Sequence, residues 1–387
     1  MERSVDVDIV IVGGGICGLA TALALHRKRI KSLVLERSKE LRATGAAIIV
    51  QANGWYALHH LGVASVLRQT AIQIKGVNGE VRCLKRSDLM KAMANSLPEG
   101  TVRTCCEVLS VELNPLTHYP RLMLTNGTVL QARVVIGCDG VNSCIANMVG
   151  SNPTKLMLFS TCVARGFTNY PTGHQFASEF VVISRGQVQL GTMPVTHNLL
   201  YWFITRLRTS QDSTISKDAH LIRESLMESM KGFPEQSMEM IRNSELESLH
   251  LTELKYRPPW DLIFNKFRKG TVTLAGDSMH ATGPFIAQGG SASIEDAVLL
   301  ARWLAHMKVG SRESKNNFMV EEALIDQYVK ERRKRIMWLS FNSFLIGKKL
   351  DTQSFIVRSI IIAILVVLFR DPNWHTQYDC GTLQYDI

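Results

Sequence analysis

The chain has none of the patterns that mark a zinc protein or a disulfide scaffold. Its eight cysteines form no CxxC pair and no Cys/His spacing that reads as a zinc site. Several lie inside apolar runs, so they read as free thiols in a reducing, cytoplasmic compartment. Internal repeats and low-complexity stretches are also missing. Hydrophobic runs are short: the apolar segment Ser359–Phe369 would reach roughly 16 Å as a helix, about half of a ~30 Å hydrocarbon core. Flanked by Arg358 and Arg370, it is expected to form a buried terminal helix, with contact to a membrane surface as the alternative. Charged residues directly follow Met1, so no signal or transit peptide is expected.

What is present describes a globular protein. With 46% hydrophobic and 20% charged residues, the composition excludes a disordered chain. The length of 387 residues suggests two domains, or one large domain with an inserted sheet. The formal charge of +10 allows nucleic acid, an anionic membrane or an acidic small molecule as partner. The strongest basic run, Lys330–Arg335, has no interleaved aromatics and no nucleic-acid-binding signature beside it. It is expected to be a solvated helix face near a C-terminus, and no nucleic-acid partner is expected.

The opening of the chain carries the strongest signal. Val5–Val12 runs into a β-branched strand, followed by Gly13-Gly14-Gly15-Ile16-Cys17-Gly18. Ile16, Leu19, Ala20, Leu23 and Ala24 then form the apolar stripe of a helix, and Lys31–Leu35 forms a second strand ending at Glu36-Arg37. Strand, glycine turn, helix and strand make a Rossmann-type βαβ unit. Gly13 permits the tight turn, Gly15 lets the backbone approach a pyrophosphate, and Gly18 lets helix and sheet pack closely. Amide groups at the helix start would hold the phosphates, and Glu36, 18 residues after Gly18, could accept from a ribose. The fingerprint alone fits NAD, NADP or FAD.

Further along, a helix is expected over 88–97, strands over Val108–Leu113 and Arg121–Leu124, and a buried strand at Val134–Gly137 leading to Asp139-Gly140. From about 155 to 265 alternating aromatic and β-branched stretches suggest an antiparallel sheet, interrupted by a helix over roughly 216–231. Thr271–Ala275 returns to a buried strand ending at Gly276-Asp277, and Ile294–Met307 and Glu321–Leu339 read as helices.

Two later motifs narrow the choice of nucleotide. One is Val135–Ser143 (VIGCDGVNS); the other is Val272–His280 (VTLAGDSMH), continued by Pro284, Gln288-Gly289-Gly290 and Ile294–Ala297. Together with the first fingerprint they resemble the three signatures of the class A flavoprotein aromatic hydroxylases, and most of all the plant salicylate-hydroxylase-like FAD monooxygenases. The stretches Glu80–Arg86 and Gly166–His174 are similar to that subgroup as well, so the resemblance covers nearly the whole chain.

The resemblance implies an α/β fold: a Rossmann-type FAD-binding domain, an inserted antiparallel β-sheet substrate domain and a helical C-terminus. The implied divisions are 1–154 with 268–308 for FAD, 155–267 for substrate and 309–387 for the helical region. It implies FAD as cofactor and NADH or NADPH as co-substrate, without a second dinucleotide-binding domain. It further implies insertion of one oxygen atom of O2 into a small aromatic or apolar substrate through a flavin hydroperoxide. Cofactor contacts are implied for Gly13, Gly15, Gly18, Glu36, Arg37, Arg42, Arg86, Val108, Asp139, Gly140, Gly276, Asp277, Gly289 and Gly290. Asp277 would accept from a ribityl or ribose hydroxyl, and the helix opening at Gly289-Gly290 would face the pyrophosphate or the flavin carbonyl edge. The reactive group belongs to the cofactor, so no catalytic residue is assigned; His280 reads equally as a proton-transfer or a core histidine. Aromatics Phe176, Phe180, Tyr201, Trp202 and Phe203 are expected on the substrate face, with sheet core as the equal alternative.

Two departures from the family pattern bear on function. Only 23 residues separate Gly62 from Arg86, where the family has a longer β-rich stretch, so the substrate side is expected to be open to water. Ala281 follows His280 where the family commonly has Pro. A flavin oxidase, an epoxidase of the same fold and a catalytically impaired FAD-binding paralogue are the alternatives.

Overall fold

Val7–Val12 forms a strand in which Ile9, Val10 and Ile11 are fully buried, because it has parallel partners on both sides. Ser32–Leu35 lies on one side and Val129–Gly137 on the other. A run of β-branched residues with no solvated face is what this position requires. The computed structural model describes residues 7–41, 47–150, 156–307, 315–371 and 373–383.

The sheet extends in parallel through Val102–Arg103 at one end and Val272–Leu274 at the other. Arg268–Lys269 adds an antiparallel edge, and the hairpin Val108–Leu113/Pro120–Leu124 joins Val129–Gly137. Helix Ile16–Arg27 packs against helix Gly289–Leu304, which begins five residues earlier than the spacing suggested. The helix expected over 88–97 begins at Arg86 and ends at Ala94.

A second sheet has the order Val181–Arg185, Val188–Pro194, Leu199–Leu207, Met157–Asn169, His250–Tyr256, all antiparallel. The two-residue period of Leu199–Leu207 sorts its side chains onto two faces. Leu200, Trp202 and Ile204 pack with Ile222, Leu226 and Met240 of the covering helices, whereas Tyr201, Phe203 and Thr205 face a cavity between the two sheets. Trp202 is therefore core, with its indole N–H donating to Thr168 Oγ1 at 3.1 Å. Phe176 likewise packs with the covered face, beside Tyr170 and His174.

The short stretch before Arg86 does reach the second sheet, contrary to the expected opening. Ile72 N–H donates to Val195 O (2.9 Å) and Lys75 N–H to Ser178 O (2.7 Å). Ile74, Val81 and Cys83 pack against Phe167, Met193 and Tyr201. A two-stranded ribbon, Ala47–Val50 with Arg82–Lys85, completes this wall.

Two expectations for the C-terminal part are corrected. The basic run lies in the middle of a 37-residue helix, Lys315–Asp351, and is solvated only in part: Lys330 and Lys334 are exposed, whereas Arg332 and Arg335 are buried. Two carboxylates opposite them, Glu295 and Asp296, draw them inward. The apolar segment forms helix Phe355–Leu368 as expected, but only Ile361 is buried. No helix among the described residues is long and apolar enough to cross a membrane. All eight cysteines are free.

Candidate active site

Adjacent parallel strands end side by side, and their ends fix the site. Cys138 N–H donates to Val12 O (2.8 Å) and Ala275 N–H to Gly137 O (2.9 Å). The turns after them, at Gly13, Asp139 and Asp277, all line one cavity of about 970 Å³. That volume lies at the upper end of the roughly 300–1,000 Å³ typical of small-molecule sites.

The glycines divide by physical role. Gly13 has φ +106°, and a Cβ there would lie 2.6 Å from Cys138 O. A Cβ on Gly18 would sit 1.9 Å from Gly13 O, so these two are needed for the turn and its helix. At Gly15, Gly140 and Gly289 a Cβ would meet nothing within 4 Å. These three backbone positions face open cavity, where a bulky ligand can come close. Gly276 (φ +64°) wedges against Cys17, and Gly290 against Ile48.

Two helices point their N-termini at this space. The first helical bonds are Leu19 N–H to Gly15 O and Ala292 N–H to Gln288 O, which leaves the preceding amides without helical acceptors. Such ends favour anionic groups.

Glu36 lines the cavity, and its carboxylate already accepts from Gly14 N–H (2.7 Å) and Ser38 N–H (2.8 Å). It thereby holds the glycine turn in shape. Asp139 accepts from Ser143 Oγ and from Cys144 N–H (2.8 Å), so its carboxylate caps the short helix Cys144–Val149. Arg37, Val108, Arg86 and Asp277 also line the cavity. Arg42 lies outside the described residues. Arg86 and Asp277 have their surface open to the cavity while protein encloses them otherwise. Burial raises the Asp277 carboxyl, opposed by His280 and Arg86. Burial lowers the Arg86 guanidinium, which Asp277 opposes and Arg165 reinforces.

The opposite wall is the second sheet. Val163, Arg165, Gln189, Tyr201, Phe203 and Thr205 form an aromatic floor with a single cation, Arg165. Among the described residues no carboxylate pairs with Arg165. Burial, only partly offset by Arg165, pushes the Tyr201 phenol well up, so it is a neutral hydrogen-bond donor.

Sequence reasoning missed a polar network behind the Gly289 helix. Asn53 Nδ2 donates to Gln288 Oε1 (2.8 Å) and to Glu295 Oε1 (2.5 Å), and Gln51 Nε2 to Ile286 O (3.2 Å). Asp296 accepts from Gly276 N–H (2.7 Å), from Arg332 Nε (2.5 Å) and lies 2.7 Å from His280 Nε2. His280 is thus a buried positioning residue for the Gly276 turn. Burial would raise Asp296, but Arg332 and His280 outweigh it and hold the carboxyl at about 2. The only local signal for this was Ile294–Ala297, whose carboxylates interrupt an otherwise apolar helix. Among the described residues no group of His, Cys, Asp and Glu is placed to hold a metal.

Comparison with known proteins fits this geometry. A family described as FAD binding domain matches residues 6–96 and 81–341. The chain belongs to this family of FAD-dependent monooxygenases, the class A aromatic-hydroxylase type. Among its relatives, Monooxygenase 1 of Arabidopsis thaliana is 43% identical over 98% of this chain and 100% of that protein. Monooxygenase 2 of the same plant is 35% identical over 90% of each. Similar folds include Klebsiella pneumoniae HpxO complexed with FAD and uric acid, at TM-score 0.80 and 19% identity over 97% of this chain and 96% of that one. A salicylate hydroxylase substrate complex matches at TM-score 0.76 and 19% identity, covering 98% and 97%. The expected fold, with parallel and antiparallel sheets and a helical C-terminus, is the one observed.

Proposed function

We propose that this monooxygenase uses NADH or NADPH to insert one oxygen atom of O2 into a small ring compound carrying an acidic or strongly hydrogen-bonding group. The observation that carries the reading is the pairing of two walls on one cavity. One wall has backbone open to a ligand at Gly15, Gly140 and Gly289; the other is aromatic, with Arg165 paired with no carboxylate among the described residues.

FAD, when bound, supplies the electron transfer and oxygen activation that no side chain here provides. The chain supplies position and electrostatics. Amides at the start of helix Ile16–Arg27 hold the pyrophosphate, with Arg37 beside them. Asp277 accepts from a ribityl hydroxyl and Arg86 balances its charge, while Glu36 keeps spare lone pairs for a ribose. Gly140 and Val108 let the ligand lie close. The amides at Gly289-Gly290 stabilise negative charge on the reduced ring. Arg165 holds an anionic substituent of the substrate, and Tyr201 and Phe203 cover its ring face.

The sequence has no second glycine-rich fingerprint, which supports transient docking of the nicotinamide nucleotide without a domain of its own. Names among the relatives and similar folds, such as urate hydroxylase and salicylate hydroxylase, favour small ring substrates with acidic groups. The eight free thiols favour a reducing, cytoplasmic setting. The test is the visible spectrum of the purified protein with NADH or NADPH and a panel of phenolic acids. Bleaching of the yellow band that an acid of the panel accelerates is expected. A spectrum that neither nucleotide bleaches with any compound present overturns the reading.

A further inference from the structure

Helix Phe355–Leu368 exposes more large apolar side chains than any other described helix. Phe355 is 81% exposed, Ile356 71% and Val367 61%, with Ile360, Ile362 and Leu368 exposed as well. At 100° per residue these six side chains cover an arc of about 240°. Ile361 alone is buried, on the remaining side, where the helix leans on Lys315–Asp351. A protein groove or a second copy covers one stripe of a helix, and an arc this wide is matched by a fluid apolar phase.

Length and charge define that phase further. Fourteen residues reach about 21 Å as a helix, short of a ~30 Å hydrocarbon core, so the helix can lie within the interface but not span it. Between residues 348 and 371 the sequence has four cations, Lys348, Lys349, Arg358 and Arg370, and two carboxylates. Both carboxylates are engaged within the chain: Asp351 lies 3.7 Å from Lys348, and Asp371 accepts from Asn373 N–H at 2.8 Å. The stretch keeps a net charge of +2, carried by the Lys348-Lys349 side before the helix and by Arg358 within it, as an anionic lipid surface would select.

The flanks of this helix also belong to the cavity. Ile346 and Leu350 before it, and Asn373, His375 and Thr376 after it, are lining residues. We propose that helix Phe355–Leu368 is an in-plane anchor that docks the protein on an anionic bilayer, with the cavity rim held at the lipid surface.

Flotation of the full-length holoprotein with vesicles tests this. Vesicles of phosphatidylcholine with phosphatidylserine are expected to carry the protein upward, and vesicles of phosphatidylcholine alone to carry far less. The variant I356E/V367E places charge on two exposed sites, so it should keep its flavin content and melting temperature. Its flotation should fall at least about tenfold. Absence of the wild-type protein from the floated fraction overturns the proposal, as does equal flotation with neutral vesicles. So does undiminished flotation of I356E/V367E. A dimer in light scattering that I356E/V367E dissolves, without vesicle binding, would assign the surface to a second copy instead.

Discussion

The glycines of the first turn separate folding from ligand binding one residue at a time. Gly18→Ala drives a methyl into Gly13 O, so it should lower stability by about 2 kcal/mol or more, read as a fall in melting temperature. Gly15→Ala finds open space, so the apoprotein should melt as before. Its affinity for FAD, measured by flavin fluorescence titration, should fall at least about tenfold because the methyl takes the pyrophosphate's place. Arg165→Met makes a third case. It should raise KM for acidic ring substrates about tenfold or more and leave KM for the nicotinamide nucleotide near the wild-type value. The turn role of Gly13 and the packing role of Gly18 were legible in the sequence because a tight turn and a close helix–strand contact each demand a missing side chain. Arg165 was not, since one arginine in a strand looks the same whether it faces solvent or a cavity. Glu36 and Asp139 were legible as cavity residues, but their hold on the turns beside them shows only in three dimensions.

At the scale of elements, the pair Gly289–Leu304 and Lys315–Asp351 is locked by buried charge. Arg332 Nη1 donates to Glu295 Oε2 at 2.8 Å while its Nε donates to Asp296, and Arg335 adds a bond of 3.1 Å to Glu295. Asp296 titrates at about 2 in the fold against an ordinary 3.8. A depressed carboxylate contributes stability that is present above its unfolded pKa and is lost as pH falls through the folded one. Asp296 should therefore contribute about 2 kcal/mol above pH ~4, lost between about pH 4 and 2. Melting temperatures measured between pH 6 and 2.5 should fall more gently in Asp296→Asn than in wild type. At neutral pH the same variant should be less stable by about 3 kcal/mol, because Arg332 loses a buried partner. Periodicity located both helices, yet it assigned the basic run to solvent. Charge alone does not say which side of a helix is inside; the carboxylates that decide it lie some 40 residues away in sequence. The strand alternation was equally ambiguous about Trp202 until the covering helices fixed which face of the sheet is core.

Across the whole molecule, two sheets meet around one cavity, and the short stretch before Arg86 joins them instead of leaving a gap. The wall this stretch adds restricts water on that side of the cavity, which favours oxygen transfer over release of hydrogen peroxide. With a good substrate, an oxygen electrode should register little O2 returned when catalase is added, and product formed should approach nucleotide consumed. Removal of the Lys75–Ser178 contact, by Lys75→Pro, should raise the returned O2 several-fold. The parallel sheet was legible from the first strand onward because its runs are apolar on both faces. The exposure of Phe355–Leu368 was not, since a segment that is apolar all round has the same composition in a core and on a surface.

The polypeptide beyond that helix doubles back as a clasp. Arg335 Nη2 donates to His375 O at 2.6 Å and Arg302 Nη1 to Cys380 O at 2.9 Å. Anyone shortening the gene after codon 351 to obtain a better-behaved preparation would cut away this strap together with the greasy segment. Asn373, His375 and Thr376 of the strap line the cavity, so the trimmed product should bind flavin more weakly in a fluorescence titration, and repainting individual side chains is the safer engineering route.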